Sequence, residues 1–232
     1  MTDKKNVPTA AAAEAQERNT EVVERARGFW EKFKKPITFG GAGIIALIAG
    51  WYAYGAFIKE PQEQKANDAI WHAQQYFAED SLAKALNGDG QYPGFEKVAK
   101  TYSGTKAGNL AKFYSGVCAL RLKEYQKAVT YLKDFSTSAK EIQAIAYGRL
   151  ADAYSELKNN TEAISYYAKA GTHFPEQESL SAENLFRAGQ LSEITGKKDD
   201  AIKYYKAVKE KYSRTDRGYQ IDKYLASLGV ID

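Results

Sequence analysis

Apolar residues fall along this chain in three different rhythms. Between Ile37 and Ile58 they are nearly continuous: ITFGGAGIIALIAGWYAYGAFI runs for 22 residues without a charge. At the helical rise a segment of that length spans about 33 Å, enough for a hydrocarbon core of about 30 Å. Backbone groups in lipid must pair within their own segment, so residues 37–58 are expected to form a transmembrane helix. Trp51, Tyr52, Tyr54 and Phe57 gather at one end of it, where amphipathic rings suit a headgroup layer. Upstream, Val22, Ala26, Phe29, Trp30 and Phe33 recur at helical spacing beside basic residues. That stripe predicts an amphipathic juxtamembrane helix over 21–36, lying on a membrane face or packed on a partner. Pro36 disfavours a helical Lys35 and predicts a bend there. Residues 1–20 are polar and alanine-rich and predict a disordered tail.

Beyond the apolar run the rhythm becomes that of paired helices. Three segments align on Ala128, Ala163 and Ala201, at steps of 35 and 38 residues. Twelve residues before each stands a small residue (Gly116, Ala151, Gly189), and four after each a large one (Leu132, Tyr167, Tyr205). Two antiparallel helices need small side chains where their backbones approach. The large residue is expected to fill the gap that opens toward the next pair. Each pair leaves an apolar face uncovered, so pairs must stack into a solenoid. GFEKVAKTYSGT echoes KYYKAVKEKYSRT, so residues 94–105 read as the second helix of a degenerate repeat. The first helix of that repeat is expected as one long segment over QEQKANDAIWHAQQYFAEDSLAKAL, and the whole element spans 59–106. The clear repeats occupy 107–214. Tyr219, Ile221, Tyr224, Leu225 and Leu228 predict a capping helix in 215–232. The fold class expected is all-α: a transmembrane helix, then a helical-repeat solenoid of three clear repeats, one degenerate repeat and a cap.

Charge adds direction. Arg25, Arg27, Lys32, Lys34 and Lys35 precede the apolar run, whereas only Lys59 and Lys65 follow over a similar distance. The positive-inside rule then expects a cytoplasmic N-terminus and a C-terminal domain across the membrane. The run is longer than the roughly 7–15-residue core of a cleaved signal peptide, which favours a retained anchor. The net charge of +4 is spread with both signs mixed, so no clustered basic face points to nucleic acid. One cysteine, Cys118, allows no intrachain disulfide and no thiolate zinc site. Two histidines, His72 and His173, lie about a hundred residues apart and supply no metal or triad constellation. No cofactor, metal, small-molecule substrate or catalytic group is expected. ALNGDGQYPGF (Ala85–Phe95) looks like a ligand loop but fails both tests. Counted as an EF-hand from Asn87, it has Tyr92 where glycine is required and Val98 at the twelfth position. As a phosphate loop it lacks the Lys-Ser/Thr pair. A helix–helix connection is expected, with Pro93 starting the next helix.

The repeat spacing resembles the tetratricopeptide repeat. The second copy fits best, with Ala151, Tyr154, Ala163, Tyr167, Ala170 and Pro175 in register. The first and third copies lack the terminal proline, and the third has Ser192 where the family often has tyrosine. The residues after Pro175 (EQESLSAEN) are expected to lengthen a loop. The whole-chain arrangement, with FWEKFKKP leading into the span and GDG…F in the first loop, resembles single-span tetratricopeptide proteins of Gram-negative inner membranes that are ancillary subunits of the Sec translocon. That resemblance implies an inner-membrane protein with a periplasmic repeat domain. Its partners would be translocon subunits, exported polypeptides or a periplasmic chaperone. A membrane-anchored scaffold for envelope assembly or division is the alternative, and a cytosol-facing organelle receptor or a regulatory part of an enzyme are more distant ones. In this repeat class the first helix of each pair lines a groove. Counting back from the small residues places Leu110, Phe113, Val117, Ile145, Gly148, Asp152, Glu183, Phe186 and Gln190 on that face as protein-binding candidates. The Lys and Asn positions that grip a peptide carboxylate in chaperone-binding relatives are not matched.

Overall fold

The computed structural model describes residues 10–231. The chain divides into two compact units, Met1–Ile58 and Lys59–Asp232. In the first unit a single helix, α1 (Ala10–Tyr54), runs through Pro36. The expected boundary at Pro36 is therefore absent, and residues 10–20 are helical rather than disordered; residues 1–9 lie outside the described part. Proline removes only one donor from a helix of this length, and the Thr38 hydroxyl donates to the Lys35 carbonyl beside it at 3.0 Å. The apolar side chains of this unit are bare: Phe39, Leu47 and Trp51 are each more than three-quarters exposed. Among the described residues one helical stretch, Thr38–Ala78, contains a window long and apolar enough to cross a membrane, with mean hydropathy 1.6. A π-helical turn, Gly55–Lys59, follows α1.

The second unit is ten helices, with no strand among the described residues. The expected long first helix is broken. α2 (Glu60–Ala78) stops at Glu79, and α3 (Leu82–Asn87) restarts after Ser81. The break sits at Asp80, whose φ of 59° an aspartate tolerates better than most residues. α4 (Phe95–Thr101) is the second helix of this degenerate pair. Then come α5 (Lys106–Arg121) with α6 (Tyr125–Lys133), α7 (Lys140–Glu156) with α8 (Asn160–His173), and α9 (Glu178–Ile194) with α10 (Lys198–Lys211). α11 (Asp216–Ser227) closes the series. The residues after Pro175 do not lengthen a loop, because α9 already begins at Glu178. The longer step between the second and third copies arises in α8, which runs 14 residues against 9 for α6.

The repeat positions explain the packing. Ala128, Ala151, Ala163 and Ala201 are fully buried. A Cβ added at Gly116 would fall 2.5 Å from Leu132 Cγ, and one at Gly189 would fall 2.5 Å from the Tyr205 ring. So in the α5–α6 and α9–α10 pairs the large residue presses on the small residue of its own pair, rather than reaching toward the next. Ser192, at the departure from the family pattern, is fully buried. Two apolar clusters result. One gathers α2 to α8, with Ala188 of α9, around Phe95, Leu86 and Leu150. The other gathers α9 to α11 around Phe186, Tyr205 and Ile221.

Candidate protein-binding cleft

α7 and α9 stand side by side as the first helices of their pairs, and a cleft of about 280 Å³ lies between them. Ile145, Gly148 and Asp152 enter it from α7 at helical spacing, and Leu180, Glu183 and Arg187 from α9. Gly148 has no side chain because Asn184 fills the space: a Cβ there would lie 2.8 Å from the Asn184 side-chain oxygen. Asn184 is buried and donates to the Leu180 carbonyl at 2.8 Å.

One charged network forms the cleft wall. Asp152 accepts from Arg187 at 2.8 Å, from the Tyr167 hydroxyl at 2.6 Å and from Arg149 at 3.1 Å. Glu183 accepts from Arg187 at 2.7 Å and from Arg217 at 2.6 Å. Four helices, α7, α8, α9 and α11, are joined through these two carboxylates. Burial opposes the Glu183 charge, but the hydrogen bonds from Arg217 and Arg187 outweigh it and hold its pKa down. Burial likewise opposes the Arg187 charge, and its bond to Glu183 with the Asp152 field outweighs that and raises its pKa. Burial first, and then Asp152, push the Tyr167 phenol up. Glu183 and Arg187 therefore stay charged at neutral pH. The network is a rigid polar wall, and Ile145 and Leu180 supply the apolar contact beside it.

The candidate residues distribute unevenly. Ile145, Asp152 and Glu183 meet in the cleft together with Gly148. Leu110, Phe113 and Val117 lie half-buried on α5, where Phe113 packs on Phe135 at 5.3 Å between ring centroids. Gln190 lines a shallow depression at the C-terminal end with Ile194 and Tyr224. Phe186 must be corrected: it is 1% exposed, lies 4.8 Å from the Tyr224 ring, and carries the Arg217 guanidinium at 4.1 Å on its face. The cap helix α11 covers it, so it is core and not binding surface. Counting back from the small residues did not single out Arg149, Leu180, Asn184 or Arg187. The Glu183–Arg187 spacing of four was a legible signal for one of them.

The other highlighted residues are structural. Cys118 is fully buried and burial pushes its thiol up to about 12, which removes thiolate reactivity. His72 stacks on Tyr92 at 3.4 Å, and His173 meets Tyr147 edge-on at 5.3 Å. The Ala85–Phe95 loop turns through Gly88 and Gly90, at φ of 90° and 95°, values that glycine adopts without strain. Pro93 does not start the next helix: it pairs with Gly88 in an isolated bridge, and Gly94 is the N-cap of α4. Asp89 organises the loop, accepting from Tyr92 N–H at 2.7 Å, Gln91 N–H at 2.9 Å and the Tyr76 hydroxyl at 2.7 Å. Among the described residues no group of three or more His, Cys, Asp or Glu side chains is placed to hold a metal.

Stacked antiparallel helix pairs, small-on-large contacts within the α5–α6 and α9–α10 pairs and a cleft between successive first helices define a helical-repeat protein of the interaction class. The tetratricopeptide repeat-like domain model matches residues 27–228, and the chain belongs to that family. Comparison with curated proteins finds no match. Domains of this family are protein-interaction scaffolds, and no catalytic family is indicated. The chain is a protein-interaction adaptor in that general sense.

Proposed function

We propose that this protein is a membrane-anchored adaptor that holds an extended or helical protein segment in the cleft between α7 and α9. The observation that carries this reading is the cleft itself: apolar Ile145 and Leu180 lie beside charges already fixed by one another. A groove whose polar wall is ordered before binding loses little side-chain entropy when a partner docks. The anchor is the apolar run 37–58, bare of intrachain packing where its side chains are described, with the basic flank facing the cytoplasm and the repeats in the periplasm. Within that arrangement the reading is an ancillary translocon subunit, linking exported polypeptides to periplasmic folding factors. The tandem of basic flank, apolar run and repeat domain supports it, together with the FWEKFKKP and GDG segments.

Photo-crosslinkers placed at Ile145 and Leu180 in intact cells test the partner. The expected adducts are translocon subunits, exported chains or periplasmic folding factors. Adducts confined to division or cell-wall proteins would reassign the protein to the envelope-scaffold alternative. A reporter active only in the periplasm, fused after Asp232, is expected to be active; activity of a cytoplasmic reporter there instead would reverse the orientation.

A further inference from the structure

A second cleft, of about 480 Å³, opens between α8 and α10, the second helices of their pairs. Lys169 comes to it from α8, and Lys203 and Lys211 from α10. All three are exposed. Buried Leu185 and Tyr212 and half-buried Tyr204 give it an apolar lining. Its chemistry is the reverse of the α7–α9 cleft. There every arginine is matched by Asp152 or Glu183. Here no carboxylate lines the cleft, and none among the described residues forms an ion pair with the three lysines. Asp200 lies near enough to act on the Tyr204 phenol, but it does not line the cleft. The Lys169 ammonium is held over the Tyr147 ring at 4.1 Å, which positions it without neutralising it.

Three cations around an apolar floor select a ligand that carries both features. We infer that this cleft docks an acidic protein segment bearing an apolar side chain. Carboxylates meet Lys169, Lys203 and Lys211, and the apolar side chain rests on Leu185, Tyr204 and Tyr212. A free inorganic anion would satisfy the lysines and leave that floor uncovered. The charge complementarity also makes encounter fast and salt-sensitive. This surface is separate from the α7–α9 cleft, and its test is independent of the function proposed above.

The test uses the full chain in neutral-detergent micelles and a fluorescein-labelled peptide alternating glutamate and leucine about a central phenylalanine. Anisotropy is expected to show saturable binding that weakens as salt rises. The triple variant Lys169→Gln, Lys203→Gln, Lys211→Gln is expected to bind at least about tenfold more weakly. Lys133→Gln on α6 is expected to bind as the parent does. All four positions are exposed, and circular dichroism checks that each variant keeps its helices. The inference is overturned if the parent chain does not bind the peptide, if a glutamine-for-glutamate peptide binds equally well, or if the triple variant keeps its affinity. It is also overturned if the triple substitution lowers only attachment to phosphatidylglycerol-doped micelles, which would make the lysines a lipid contact.

Discussion

Asp89 shows how much one side chain settles in this fold. Its carboxylate accepts the Tyr76 hydroxyl and two loop amides, so a six-residue excursion from Gly88 to Pro93 closes on itself and on α2. The Tyr76 hydrogen bond first, then the Tyr92 amide, hold the Asp89 pKa down from 3.8 to about 2. A lowered carboxylate stabilises the folded state above its unfolded pKa, and that contribution is lost as pH falls through the folded value. Asp89→Ala is therefore expected to lower the urea midpoint at neutral pH. The gap from the parent is expected to narrow between about pH 4 and pH 2. A gap that stayed constant across that window would mean the carboxylate charge contributes nothing. The loop's failure as an EF-hand was legible from Tyr92 and Val98 alone. Asp89's partners were not, because Tyr76 lies on another helix and no spacing rule links the two.

At the scale of elements, helix ends and helix joints decide the register of the stack. Thr105 caps α5 by accepting from Gly108 N–H at 2.9 Å, and Thr215 caps α11 by accepting from Gly218 N–H at 3.1 Å. Both stand in the same Tyr-Ser-x-Thr-x-x-Gly frame, Tyr102–Gly108 and Tyr212–Gly218, which the sequence displays openly. Glu63 adds a tertiary cap to the first of these, accepting from the Lys106 and Ala107 amides at 2.8 and 3.0 Å. It is separated from them by more than forty residues and could not be found by local reading. Asp152 joins α7 to α8 and α9 in the same non-local way. Asp152→Ala is expected to cost about 1–2 kcal/mol, the lower part of the charged hydrogen-bond range because Arg187 is 41% exposed. A double-mutant cycle in urea pairing Asp152→Ala with Arg187→Ala is expected to give a double-variant loss smaller than the sum of the two single losses. Strict additivity would remove Asp152 as the joint.

At the scale of the whole repeat unit, the ends need cover. α11 buries Ile221 and Leu225, at 1% and 2% exposure, against the cluster that holds Phe186 and Tyr205. A chain ending before Asp216 loses about 1.5–3 kcal/mol for each of those two side chains and bares the rings beneath. Its thermal midpoint is expected to fall and its binding of an apolar fluorescent dye to rise, with the α2–α8 cluster still folded, because stacked repeats interact with their neighbours. Loss of the entire unit's cooperative transition would show instead that the two clusters fold as one. The opposite end is closed by α2, α3 and α4, whose core residues Ala66, Ile70, Leu86 and Phe95 are all buried.

Amino-acid order by itself determined the all-α class, the repeat phase and the 37–58 apolar run, because each is a periodic pattern read over short spans. The phase is visible because Gly116 and Gly189 must be small to admit the Leu132 and Tyr205 side chains, and fully buried Ala151 keeps the same register. Tertiary structure alone decided which face of each helix stayed open. Phe186 and Glu183 lie three residues apart on α9, at positions that the count put on one face, yet α11 covers the ring and leaves the carboxylate in a cleft. It also decided that arginines between α7 and α9 meet carboxylates while lysines between α8 and α10 do not. Periodicity reports the faces of one helix, whereas burial and charge pairing depend on the neighbour that arrives from elsewhere in the chain.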